Sequence, residues 1–199
     1  MLRGIDLSYA QLNVNWDVLV HQAIDFVYVK AAEGMHTIDT MKSSHSHGAK
    51  SCGLKLGYYY FAHPGKCDAV SSAQFFKANL NGLPDPDLLY ALDVEVNDNN
   101  ISPAAMLQWI NDFIAEFNMP IMIYGGPGFL NANLPVNHGL GKYPLWLAEY
   151  ETTAKPTLYP KGWSNCAIWQ YCGNGTVKGI QQQVDLSRCD ALPFLSPNT

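Results

Sequence analysis

Short apolar segments that end on a polar or aromatic residue recur along this chain. They constrain its fold more than any other feature. Leu2–Leu7, Phe26–Ala31, Leu56–Phe61, Leu88–Val96, Pro120–Tyr124, Pro144–Tyr150 and Ala167–Tyr171 each read as a strand, with a last short one near Val184–Leu186. Helical or loop segments lie between them. Pro103–Phe117 is the clearest helix. Ser102 can cap it, Pro103 fits its first turn, and Met106, Leu107, Ile110, Phe113, Ile114 and Phe117 share one side. Trp16–Ile24, roughly Thr40–Cys52, and Asp68–Leu80 are weaker helices. Turns bearing Gly and Pro separate the units, as at Leu83–Pro86 and Gly125–Gly128. About eight strands alternating with fewer than eight helices predict an α/β chain folded as an abbreviated TIM-like β/α barrel. An open doubly wound sheet is the alternative, and periodicity does not separate the two. No linker or repeat divides the 199 residues, so 1–199 is expected to form a single domain.

Composition narrows the function classes. Charged residues are only 15% of the chain, and 12 Lys and Arg stand against 17 Asp and Glu, a net charge of -5. A generally basic surface for gripping phosphates is absent, so no nucleic-acid partner is expected. No apolar run approaches membrane-helix length, so no membrane insertion is expected either. The 11 Tyr and 5 Trp, with many amides and hydroxyls, suit a neutral, hydroxyl-rich ligand such as a sugar. The six histidines are scattered and form no HExxH pattern, so no metal site is expected and a loop or surface role is their default. Five cysteines without metal-type spacing read as small buried hydrophobes. Gly125–Gly128 lacks the Lys-Ser/Thr of a phosphate-binding loop and reads as a turn.

The barrel places functional groups at the C-terminal ends of strands. Asp6, Glu33, Asp93, Glu95, Tyr124, Tyr150 and Gln170 all fall there. The most informative segment is Leu88–Val96. Alternate strand residues share a face, so Leu92, Val94 and Val96 point toward a covering helix, while Ala91, Asp93 and Glu95 point into the barrel. Two enclosed acids on one face repel each other, which keeps one protonated beside one carboxylate. A glycosidase needs that division: a proton donor for the leaving oxygen and a stabiliser of positive charge at the sugar carbon. The bland alternative is a pair of solvated acids, or acids matched by nearby cations. Between Lys77 and Lys142 there is no Lys or Arg, so few basic partners are expected close by.

These residues bring out a resemblance that runs from about Arg3 to about Asp190. The chain opens with Gly4-Ile5-Asp6-Leu7-Ser8 and continues through Gln11, Trp16 and Phe26–Gly34, the last being close to a "KATEG" stretch. Gly57–Ala62, Leu92–Glu95, Ile123–Gly125, Pro144–Tyr150, Ile168–Tyr171, Val177–Ile180 and Val184–Ser187 follow in order. Together they resemble the glycoside hydrolase family 25 lysozymes, the Chalaropsis-type N-acetylmuramidases, which include phage endolysins. The resemblance implies a cofactor-free catalytic domain that cleaves the β-1,4 bond between N-acetylmuramic acid and N-acetylglucosamine in peptidoglycan. It implies Glu95 as general acid and Asp93 as the carboxylate that orients the acetamido group or stabilises charge. Asp6 and Asp185 would flank them, and Tyr59, Phe61, Tyr124, Trp146, Tyr150 and Gln170 would form the sugar-contacting wall. Both acids lie on one strand, which favours retention aided by the acetamido oxygen. Departures are Tyr60 where relatives often carry His, Leu12 after Gln11, Ala32 for Thr, and the loop Gln181-Gln182-Gln183.

Several of these residues also have structural readings. Asp6 taken alone is a capping acid, Glu33 would pair with Lys30 on the rim, and aromatic strand residues are more often core than sugar platforms. Rival functions are a glucosaminidase or chitinase-like activity, and a non-catalytic wall-glycan binding module. A monomer acting on the cell wall is expected. With no signal peptide visible, holin-type release, delivery as an effector or a trimmed leader would bring it there.

Overall fold

A computed structural model describes residues 1–150 and 154–195. The strands are β1 (Leu2–Leu7), β2 (Phe26–Glu33), β3 (Thr37–Ile38), β4 (Lys55–Phe61), β5 (Tyr90–Asp93), β6 (Ile121–Gly125), β7 (Leu145–Ala148), β8 (Ile168–Gly175) and β9 (Val184–Cys189). The helices among the described residues are α1 (Trp16–Leu19), α2 (Lys42–Ser51), α3 (Ala69–Leu80), α4 (Pro103–Phe117) and α5 (Pro127–Asn133), with two short 3-10 turns. The sheet runs β1-β9-β8-β7-β6-β5-β4-β2-β3, and β1 also pairs with β2. Eight strands therefore close into a barrel, and β3 hangs on the edge of β2.

The β/α barrel expected from the strand pattern is present, with one topological difference. β9 runs antiparallel to both of its neighbours. Only a short loop joins β8 to β9, and a connection without a crossover helix returns the chain antiparallel. Helix α4 keeps its expected bounds, with Ser102 Oγ accepting from the Ala105 amide. The first helix is shorter than expected, ending at Leu19, and the turn expected at Gly125–Gly128 opens into α5 with Pro127 in its first turn. The central strand stops at Asp93 rather than Val96. Backbone bonds from Ala62 to the Asp93 carbonyl and from Val94 to the Tyr124 carbonyl carry the pairing to its end.

Two cores follow from the alternation of side chains. The inner core holds Phe26, Tyr28, Ala91, Met122, Tyr124, Trp146, Ile168 and Cys189. Glycines make room for it. A Cβ on Gly4 would lie 2.2 Å from the Phe26 ring, and one on Gly57 would lie 2.2 Å from the Tyr28 ring. The outer core lies between strands and helices and includes Leu92 and Val94, as the alternation required. Its densest part is aromatic. Phe113 stacks at 5.1 Å on Tyr60 and at 5.4 Å on Trp109, and Phe76 stacks at 4.9 Å on Phe117. Tyr60, at the position where relatives often carry His, is fully buried here and donates to the Gly34 carbonyl at 2.8 Å. Phe113→Ala should destabilise the fold by about 3–5 kcal/mol, read as a lower urea midpoint with an unchanged slope. A loss under about 1 kcal/mol would contradict the role given to this cluster.

Candidate active site

The C-terminal ends of the parallel strands surround a cavity of about 160 Å³. Asp6, Asp93, Glu95 and Asp185 line it together with Tyr59, Phe61, Tyr124, Trp146, Gln170 and Lys30. Nine of the ten residues expected at a site thus meet in one place. The remaining one, Tyr150, joins through its hydroxyl, which donates to Gln170 Oε1 at 3.0 Å while the ring stays exposed at the rim. A larger depression of about 720 Å³ lies between residues 13–18 and 179–181, but Asp17 is the only acid lining it.

The strand register explains the convergence. Asp6 sits directly across from Asp185 in the β1–β9 pair, and Asp93 lies beside both Phe61 and Tyr124. Gln170 on β8 is 1% exposed and joins the two sides. Its Nε2 donates to Asp6 Oδ2 at 3.0 Å and to Asp185 Oδ2 at 3.5 Å. Its Oε1 accepts from Tyr124 at 2.8 Å as well as from Tyr150. A primary amide has two N–H donors and two acceptor lone pairs, so this one is fully engaged by protein partners. Trp146 forms part of the floor, packed on Tyr28 and Tyr124, with its indole N–H donating to Ser187 Oγ at 3.1 Å.

The acids hold their protons more tightly than free carboxyls do. Burial and then the charge of Asp185 push Asp6 well above the usual range, against the Gln170 hydrogen bond. Asp185 is raised by burial, opposed by its hydrogen bond with Asp6. Burial and then Glu95 raise Asp93 strongly, and Lys30 opposes them. Glu95 is raised by burial and then by Asp185, with Lys30 again opposing. Asp93 is 5% exposed, and its Oδ1 meets no hydrogen-bond partner among the described residues. Glu95 sits at the opening. The arrangement can therefore present a protonated acid beside a carboxylate in a partly dry pocket.

One expectation is corrected here. The gap between Lys77 and Lys142 implied few basic neighbours, yet Lys30 lines the same cavity and is 7% exposed. Sequence distance misled because β2 lies only two strands from β5 in the sheet. The signal was present: period two puts Phe26, Tyr28 and Lys30 on one face of β2. Lys30 is held in an ion pair with Glu33, as the rim reading of Glu33 anticipated. The Lys30 ammonium also lies 4.7 Å from the Phe61 ring centre and 5.9 Å from that of Tyr9, an exposed aromatic that sequence reasoning passed over. Among the described residues no group of three or more acids, His or Cys could hold a metal ion, and no helix is long and apolar enough to cross a membrane.

The raised acids make the site a stability liability with a defined sign. A carboxyl whose folded pKa exceeds its unfolded value costs nothing below that unfolded value, about 4. It destabilises the fold increasingly as the pH climbs from there toward the folded value. Glu33 and Asp87, held low, act oppositely: they stabilise above their unfolded values and lose that as pH falls through the folded ones. Asp93→Asn removes one raised acid and keeps its shape. Its melting temperature should exceed that of the wild type near neutral pH, and the gain should vanish near pH 4. An equal gain at both pH values would refute the electrostatic origin.

Comparison with known proteins matches this geometry. The family model for glycosyl hydrolases family 25 matches residues 5–180. Lysozyme M1 of Streptomyces globisporus is 30% identical over 199 residues, covering 94% of this chain and 67% of its own length. The autolytic lysozyme of Clostridium acetobutylicum is 29% identical over 187 residues, and this chain spans 55% of its length. A bacterial lysozyme from Streptomyces coelicolor superposes with a TM-score of 0.87 at 29% identity, covering 96% of this chain and 93% of that one. With the family pattern spanning nearly all of the barrel and its acid-lined cavity, the chain belongs to glycosyl hydrolases family 25.

Proposed function

We propose that this domain, which we read as the single catalytic unit of residues 1–199, is a peptidoglycan muramidase. It would hydrolyse the β-1,4 bond between N-acetylmuramic acid and N-acetylglucosamine with Glu95 as general acid. The observation that carries this reading is the raised carboxyl of Glu95 at the cavity opening, above the buried Asp93 on the same strand end. A donor must hold its proton at working pH and still reach the leaving oxygen, and the upward shift of Glu95 and its place at the opening support that role. Asp93 is buried, and one of its carboxyl oxygens has no hydrogen-bond partner among the described residues, which supports it as the acceptor for the N–H of a 2-acetamido group. Held so, the acetamido oxygen can stabilise the developing positive charge at the sugar carbon and form a cyclic intermediate that water opens. The lysozymes of Streptomyces and Clostridium support the choice of substrate.

The other cavity residues take supporting roles in this reading. Asp185 raises the proton affinity of Glu95, and Asp6 stands across from Asp185 in the same acidic groove. Tyr59, Phe61, Tyr124 and Trp146 supply aromatic wall and floor, and Tyr150 forms the rim. Gln170, whose amide has no free donor or acceptor, orients Tyr124, Tyr150, Asp6 and Asp185 rather than bonding sugar itself. No cofactor enters the scheme. The protein would act as a monomer on the wall outside the cytoplasmic membrane, and release as an endolysin is one route there.

Glu95→Gln should lower kcat/KM on a cell-wall suspension by about 10²–10⁴-fold while the melting temperature holds. Retention of most activity would remove Glu95 from the role of acid. Reduced digestion products should end in N-acetylmuramitol, whereas N-acetylglucosaminitol ends would point to a glucosaminidase, and no turnover to a binding module. Proton NMR of the first-formed product should show the β anomer, and early α product would exclude retention.

A further inference from the structure

Behind Lys30 the hydrogen bonding continues away from the cavity. Glu33 accepts from Lys30 through Oε2, and its Oε1 lies 3.1 Å from His63 Nε2. On the far side of the ring, His63 Nδ1 lies 2.8 Å from Asp98 Oδ2. The four groups form one connected chain: Asp98, His63, Glu33, Lys30. Its elements are fixed against each other. The Asp98 amide donates to the Pro64 carbonyl at 3.0 Å, and the Asn99 amide group donates to the Gly65 carbonyl at 2.9 Å. Gly65 has φ +89°, and a Cβ there would lie 2.0 Å from the Asp98 carbonyl oxygen, so the loop bearing His63 and the turn bearing Asp98 are locked in contact.

We propose that His63 is a positioning residue for the reaction and works as an imidazolium. This rests on the reading of Glu95 as the acid. Both ring nitrogens face carboxylate oxygens, and carboxylates only accept. A neutral ring has one N–H and would turn its lone pair toward one of them. The Lys30 and His63 hydrogen bonds hold Glu33 ionised below the ordinary glutamate range, although burial pulls the other way. Glu33 and Asp98 are the charged partners of the ring among the described ion pairs, and Phe61 lies beside it at 5.3 Å between ring centres. The two carboxylates are thus the charges that face it. With His63 charged, the chain is neutral in sum, and Glu33 holds the Lys30 ammonium over the cavity. Without that charge, one extra negative charge stands behind Lys30 and the grip on Glu33 is lost. Lys30 opposes the rise of both Asp93 and Glu95, so His63 governs their proton affinity through it.

The test has two arms. Nitrogen-15 NMR of the histidine rings in the wild-type protein, at the pH of maximal activity, should find both His63 nitrogens protonated. A neutral His63 ring there overturns the proposal, and this arm does not depend on the role of Glu95. In the second arm, His63→Gln should shift the basic limb of the kcat/KM profile to higher pH, because the donor holds its proton longer. His63→Lys, which restores a cation between the carboxylates, should return the limb toward its wild-type position. An unmoved limb in His63→Gln, or equal loss of activity at every pH in both variants, would reduce His63 to a structural part of the loop. Activity surviving Glu95→Gln would instead sink the acid assignment and leave the NMR result standing.

Discussion

Strand β1 is hydrogen-bonded along both edges, parallel to β2 and antiparallel to β9, and the whole site depends on this double pairing. It closes the barrel, and it sets Asp6 against Asp185. Were β1 paired on one side only, β9 would present an open edge, and the two acids would lose the enclosure that raises their proton affinity. The pairing also fixes the height of every inward residue. Phe26, Tyr28, Ala91, Met122, Ile168 and Cys189 fill the barrel, and the acids, Lys30 and Gln170 line the cavity at its open end. Charge concentrates where the barrel opens, because burying it among the apolar side chains beneath would carry a large desolvation penalty.

That enclosure cuts two ways. The same burial that raises the proton affinity of Glu95 leaves one Asp93 oxygen without a partner among the described residues, and it forces four carboxyls into a space served by one ammonium. Function is placed where the fold is least content, and the cost is offset elsewhere, by the aromatic packing of α3 and α4 against β4 and β5.

The inward-facing set was largely legible in the sequence because period two is strict in strands. Alternation alone puts Ala91, Asp93 and Glu95 on one face. The carboxylate pair carried a local signal, whereas Asp6, Asp185 and the aromatic wall were recognised through the family resemblance. What escaped has a common cause. Lys30, His63 and Asp98 act across strands and loops distant in the chain, and no local pattern records which loop will lie beside which. The shortfall at Val96 and the extra helix after Gly126 are boundary effects, set by pairing and by a proline that tolerates both turn and helix starts.

The saturated amide of Gln170 has a further consequence for how this site tolerates change. Four side chains, three from strands β1, β6 and β9 and Tyr150 from just beyond β7, terminate on one group, so a substitution at any of them alters the hydrogen-bonding choices of the other three. Mutational effects at Asp6, Tyr124, Tyr150 and Asp185 are then epistatic through Gln170, and their sum will misstate the multiple variant. Sequence drift at this end of the barrel should proceed in correlated sets.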